Sequence, residues 1–305
     1  MPEKISITKT SRRTFVQSLS LLTGVTLLGK PFSSNAYALN LTGPVTVGAI
    51  MNAFIKDIPG APFPNTVDTL KSGDQEIQVT GIVTCMFATI EVIREAITLG
   101  ANFIIAHEPT FYNHQDATSW LEADEVFKYK SDLLKKHQIA VWRNHDYIHS
   151  VKPDGVRKML VKQLGWEKYR NPAQSIYERN PPVSLINLID ELKHKLNIQA
   201  LRYHGKADQL CKKILLMPGA AGGERQIKAL STFQPDVLVT GEISEWETAE
   251  YVRDAALSGR KLSLIVLGHV ASEEPGSIFM SEWLKTNFPQ LKTTFVKTKP
   301  SLQIR

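Results

Sequence analysis

Cysteine is scarce in this chain: two residues, Cys85 and Cys211, among 305. That number excludes a disulfide framework and a cysteine-based zinc knuckle. One bridge in an oxidising compartment, or two buried thiols, are the readings left. Long apolar runs are missing too. The stretch 19–29 falls short of the roughly 20 residues that a membrane-spanning helix needs. Basic clusters interleaved with aromatics, the mark of a nucleic-acid surface, are also lacking. Lys135-Lys136 and Lys212-Lys213 are ordinary solvated pairs. No repeat of short fixed period occurs.

What is present begins with an address. Ser11-Arg12-Arg13-Thr14-Phe15-Val16 is a twin-arginine pattern, the apolar run 19–29 follows it, and Ala36-Tyr37-Ala38 is a small-x-small cleavage site. Residues 1–38 are therefore expected to be a signal peptide for export by the twin-arginine route to the periplasm, with no stable membrane anchor after cleavage. The formal net charge is +6 and the sequence pI about 9.1. The leader alone holds Lys4, Lys9, Arg12, Arg13 and Lys30 against Glu3. The chain beyond it is close to neutral, so no nucleic-acid partner is expected.

Four short apolar runs each stop at potential metal ligands. Phe103-Ile104-Ile105-Ala106 leads into His107-Glu108-Pro109, and Ile139-Ala140-Val141-Trp142 into His145-Asp146 and His149. Val237-Leu238-Val239-Thr240 leads into Gly241-Glu242, and Leu264-Ile265-Val266-Leu267 into Gly268-His269 and Glu273. Aliphatic runs of this length, separated by helical patterns, read as buried parallel strands of an α/β fold. Open α/β sheets gather ligands beyond the carboxyl ends of their strands.

Between these runs the pattern predicts strands at 79–85, 213–217 and 293–296. It predicts helices at 89–99, 122–136, 185–196, 224–230 and 277–287. A further helix starts at Ser244, with Glu247 completing a capping box. The proline-bearing stretch 156–205 reads as a connecting segment between a first lobe (39–155) and a second (206–305).

His107 and Glu108 would face opposite ways on a strand, but a turn imposed by Pro109 lets both face one cavity. His145 and His149 share a face only if their segment is helical, and so do His269 and Glu273. Asp146 either binds a cation or orients a neighbouring imidazole. Imidazole with carboxylate suits zinc, iron, manganese, nickel or cobalt better than calcium or magnesium. Glu242 and Glu245 are the candidates for proton transfer. Pro218-Gly219-Ala220-Ala221-Gly222-Gly223 reads as a plain strand-to-helix connection before a phosphate cradle. Tyr112 and Trp142 flank the expected cavity, Trp142 more simply as a core residue. His114, His137, His194 and His204 read as surface histidines.

The run from Val79 to Cys85, His107-x-Pro109, Thr240-Gly241-Glu242-Ile243-Ser244-Glu245 and Gly268-His269-x-Ala271-Ser272-Glu273 resemble the NIF-three-like (NGG-one interacting factor) family over roughly residues 65–300. Some of its members bear the name GTP cyclohydrolase I type two. The resemblance implies two similar α/β lobes with mixed, largely parallel sheets, a dinuclear metal centre in the cleft between them, and a ring-shaped homohexamer. It implies that His107 binds one metal and that His269 and Glu273 join or bridge the pair. The chain departs from the family twice: the family's His-His pair is His107-Glu108, and its downstream Asp falls on His149. If His149 is not the middle ligand, His145 or Asp146 takes its place. The family's early Asp-Asn-x-Gly pattern is reduced to Asp68-Thr69.

The expected site is therefore His107, Glu108, His145, Asp146, His149, His269 and Glu273 around two divalent ions, with Glu242 or Glu245 moving protons. The expected function is metal-dependent hydrolysis of a small phosphorylated or purine-like molecule. A non-catalytic metal-binding ring, serving as scaffold or metal store, is the rival. An exported sugar- or peptide-binding protein, which would show an aromatic cleft without clustered histidines, ranks last.

Overall fold

The computed structural model describes residues 43–169 and 175–302. The twin-arginine pattern, the run 19–29 and the cleavage site lie outside these residues. No helix among the described residues is long and apolar enough to cross a membrane.

The chain builds two mixed five-stranded sheets. The first contains β1 (Leu70–Ser72), β2 (Ile82–Cys85), β3 (Phe103–Ala106), β4 (Ala140–Arg143) and β10 (Thr293–Phe295). Its order is β1-β4-β3-β2-β10, with only β1 antiparallel. The second contains β5 (Ile176–Ser184), β6 (Arg202–His204), β7 (Leu210–Met217), β8 (Val237–Thr240) and β9 (Ser263–Val266). Its order is β5-β7-β8-β9-β6, with both edge strands antiparallel.

Both sheets are covered on both faces, which explains the unbroken apolar runs. Ile82, Phe103, Ile105 and Trp142 pack under α1 (Val47–Ile55) and α9 (His269–Asn287). Val83, Ile104 and Val141 face α2 (Ile90–Thr98) and α3 (Glu125–Lys136) on the other side. In the second sheet, Ile214, Val237 and Ile265 pack against α5 (Gly155–Leu164) and α6 (Leu185–Leu196). Leu215, Leu238 and Leu264 face α7 (Gly223–Phe233) and α8 (Glu250–Leu257). The alternation along each strand is the two-residue period of a pleated sheet.

Local signals set the helix ends. The Thr89 hydroxyl accepts from the Val92 N–H at 3.2 Å. Gly100 ends that helix in the left-handed region at φ +67°, as a side chain-free residue can.

The structure corrects several expectations. The segment 156–205 is no connector: it supplies α5, β5, α6 and β6, and β5 pairs along β7. Asn180-Pro181-Pro182 lies inside β5, and an edge strand tolerates prolines because one side of its ladder is unpaired. The ladder shifts register across them. The last helix starts at His269, eight residues earlier than its apolar pattern suggests, and runs through Pro275. No capping box forms at Ser244, whose side chain makes no cap bond. Instead 245–249 is a π-helical turn, and Glu247 packs against Gly223 at the start of α7.

Candidate metal centre

Residues that follow β3, β4, β8 and β9 meet in one place. The ladder continues past β3, with His107 N–H donating to Cys85 O and Glu108 N–H to Met86 O. In the second sheet Leu267 N–H donates to Thr240 O and Gly268 N–H to Gly241 O. The chain is thus held right up to the functional side chains. His145 precedes a short helix, α4 (Asp146–Ser150), and His149 N–H closes on His145 O at 3.2 Å. The four-residue spacing therefore places both imidazoles on one face, as it does for His269 and Glu273 on the first turn of α9.

The rings of His107, His145 and His149 meet with centroids 4.9–5.2 Å apart. One ligand atom from each lies within 4.8 Å of the others, and the same holds for His107, Glu108 and Glu273. His107, Glu108 and Glu273 are buried at 3, 6 and 4 % exposure. Glu273 sits among three imidazoles: Oε2 is 2.9 Å from His269 Nε2 and 3.4 Å from His107 Nε2, and Oε1 is 3.8 Å from His149 Nε2. Glu108 Oε1 lies 3.3 Å from His269 Nε2 and 3.7 Å from His145 Nε2.

Each imidazole is tied from behind through its other nitrogen. His107 Nδ1 faces Asn144 O at 3.3 Å, and His145 Nδ1 faces Asp146 Oδ1 at 2.9 Å. His149 Nδ1 faces Asp154 Oδ2, and His269 Nδ1 faces Glu242 Oε1, both at 3.0 Å. An acceptor behind Nδ1 keeps the proton there and leaves the Nε2 lone pair pointing inward. His107 Nε2 is buried without a hydrogen-bond partner.

The charges fit a cation. Burial disfavours a charge on His145, and with His107 beside it the imidazole falls to about 4, so it stays neutral. Burial acts the same way on His269, yet Glu108, Glu242 and Glu273 outweigh it and push that imidazole up to about 12. Burial raises Glu273, but His107 and His269 hold its carboxyl well below the usual range. Two buried carboxylates thus call for positive charge, part of which Arg143 and a proton on His269 supply. A buried His107 Nε2 that makes no hydrogen bond and points inward beside carboxylates suits a bound metal ion.

Some expected residues stand elsewhere. Asp146 is no inward ligand: Oδ1 is on His145, and Oδ2 accepts from Thr66 Oγ1 at 2.8 Å and Val67 N–H at 3.2 Å. At the first position of α4 its side chain turns back toward the loop before β1. Glu245 pairs with Arg202 on the exposed surface and does not reach the centre. Glu242, half-exposed, stands behind His269. Trp142 is fully buried, its ring 6.0 Å from Phe54, and Tyr112 lies under Lys130. The Pro218–Gly223 loop serves the centre sterically. Gly219 has φ +71°, and a Cβ there would stand 2.1 Å from Glu273 Oε1.

Sequence reasoning missed Asp154, Asn144 and Arg143, and saw Asp68 only as the remnant of the family's early pattern. Asp68 is buried and accepts from His145 N–H at 2.8 Å and Tyr147 N–H at 2.7 Å, fixing the start of α4. Burial pushes its carboxyl up to about 6 despite those bonds. Beside the centre, Phe63, Pro64, Asn65, Thr66, His145 and His149 are among the walls of an open cavity of about 500 Å³, a volume suited to a small molecule.

Residues 67–301 match the Duf34/NIF3 (NGG1p interacting factor 3) family. A GTP cyclohydrolase 1 type 2 homolog of Clostridium perfringens is 29% identical over 226 residues, 71% of this chain and 82% of that protein. Its counterpart in Clostridium acetobutylicum is 27% identical over 71% and 80% of the two chains. Among solved structures, a Bacillus cereus protein related to NIF3 superposes with a TM-score of 0.68 at 16% identity, covering 85% of this chain and 98% of that one. A Staphylococcus aureus hypothetical protein gives 0.67 at 22% identity, with 86% and 100% coverage. At such identities the structures speak to the fold. The sequence match from 67 to 301 speaks to descent, and the chain belongs to the Duf34/NIF3 family.

Proposed function

We propose that the centre holds two divalent metal ions and performs metal-dependent hydrolysis of a small phosphorylated or purine-like substrate. The observation that carries this reading is the common orientation of four imidazoles, each with Nδ1 tied outward and Nε2 facing two buried carboxylates. His107, His145, His149 and His269 would bind through Nε2, Glu273 through both oxygens and Glu108 through Oε1. This nitrogen and oxygen set matches zinc, iron, manganese, nickel or cobalt. When bound, such ions supply Lewis acidity and make water a nucleophile near neutral pH.

The chain's own groups do the rest. Asp146, Asp154 and Glu242 hold the rings in register. Glu242, 54% exposed and touching His269, can carry a proton between centre and solvent. The adjoining cavity admits a ligand past Phe63 and Thr66. The name shared by the relatives, GTP cyclohydrolase 1 type 2 homolog, supports a phosphorylated purine as the class to try first. Assembly as a ring-shaped homohexamer and export by the twin-arginine route belong to the same proposal.

The test is to strip the protein with a chelator, titrate it with zinc, manganese or cobalt, and screen the loaded form for hydrolysis. Two ions per chain and turnover of a nucleotide, phosphoester or cyclic amide, both lost in His107→Ala, are expected. A folded, fully loaded protein inactive across that panel would leave the non-catalytic metal-binding reading in place. Failure to take up any cation would end both.

A further inference from the structure

Arg143, at the end of β4, is fully buried. Its guanidinium reaches four groups. Nη2 donates to Glu108 Oε2 at 3.2 Å, and Nε to His107 O at 3.4 Å. Nη1 donates to His114 O and lies 3.7 Å from Asp116 Oδ2. Behind it, Lys71 Nζ is 3.4 Å from the same Asp116 oxygen. A row of alternating charge, Lys71, Asp116, Arg143 and Glu108, therefore runs through the interior and ends at the centre. A buried arginine without carboxylate partners would be costly, and this row supplies two.

The pairing with Glu108 uses one oxygen only. Arg143 takes Oε2, while Oε1 faces His145 and His269. Glu273 differs, since both of its oxygens face imidazoles.

We infer that Arg143 is a positioning residue that holds Glu108 by its outer oxygen, making it a one-oxygen ligand and the Glu108 side the weaker of two unequal cation positions. This rests on reading the centre as a cation site. The guanidinium fork also draws the His107 carbonyl and the 108–116 loop onto the same anchor, so one side chain sets ring and carboxylate together. A lysine keeps the charge but cannot reach three acceptors in fixed geometry. The outer partners of metal ligands typically control affinity by 10–100-fold.

Cobalt titration of the full chain, followed by visible absorption and elemental analysis, tests this. Wild type is expected to bind two ions in two separable steps. Arg143→Lys should weaken the weaker step at least tenfold and leave the tighter one unchanged. Glu108→Gln should weaken the same step, and the double variant should add little beyond either single change. Asp116→Asn, which loosens Arg143 from behind and touches no proposed ligand, should shift that step in the same direction. It supplies the test if Arg143→Lys does not fold. Unchanged affinities in folded Arg143→Lys, additive losses in the double variant, or no shift in Asp116→Asn beside a non-folding Arg143→Lys would each overturn the inference while wild type still bound two ions. A wild type that binds none defeats the cation reading itself.

Discussion

Asp154 serves two elements with one carboxylate. Oδ1 accepts the Arg157 N–H at 3.0 Å and starts α5, and Oδ2 holds His149 Nδ1. Burial would raise this group, but the bonds and the charge of His149 keep its carboxyl below the usual range. The two roles come apart by substitution. Asp154→Ala should lose about 1 kcal/mol of helix capping and 10–100-fold in cation affinity. Asp154→Ser, which restores a capping oxygen but does not reach the ring, should recover the stability and not the affinity. Chemical denaturation and cation titration read the two separately. Recovery of both by serine would show that Asp154 acts only as a cap. The ligand-type residues were legible in the sequence because each follows a strand directly. Asp154 and Arg143 were not, and Asp68 showed only as the remnant of a family pattern, without its role. An orienting partner is chosen by proximity in space, and Asp68 lies 77 positions from the His145 N–H it accepts.

At the scale of elements, the crossing of α5 and α9 matters most. Gly276 on α9 lies against Val156, where a Cβ would stand 2.7 Å from Cγ2. Gly155 lies against Phe279, with a Cβ placed 2.9 Å from the ring. Two helices that touch through glycine leave no room for adjustment. The first turn of α9 carries His269 and Glu273, so a shift of this helix moves two proposed ligands together. Gly276→Val should destabilise the protein by about 1–3 kcal/mol and lower cation affinity as well. A loss of stability with unchanged affinity would show that the first turn of α9 is held independently of the crossing.

The parallel strands and the helices α2 and α3 could be read from periodicity, with ends shifted by a few residues, whereas α1, β1, β6 and the order of strands in each sheet could not. The helix α9 was read too short because Pro275 and Gly276 resemble a break; burial of 272–277, with Gly276 against Val156 of α5, overrides that local signal. In the same way Pro181 and Pro182 hid β5, since only the assembled sheet shows that strand to be an edge.

At the scale of the whole molecule, the centre draws on both sheets: His107, Glu108, His145 and His149 come from the first, and His269 and Glu273 follow the last parallel strand of the second. Cation binding should therefore stabilise the chain as a unit. At 100 times Kd the gain is about 2.7 kcal/mol per independent site, visible as a rise in Tm. Hydrogen exchange should slow together at 107–108, 145–149 and 269–273 when cation is added. Slowing confined to one of these stretches would mean that the ion does not join them.

The position of β10 has a consequence for the order of events in a cell. It lies parallel beside β2, so an early strand waits for a neighbour made some 200 residues later. While the ribosome is still translating the second sheet, one edge of the first is open, and the turn bearing His269 and Glu273 has yet to emerge. The nascent chain can fold its parts in sequence, but it cannot complete the proposed cation site until the second sheet has been made.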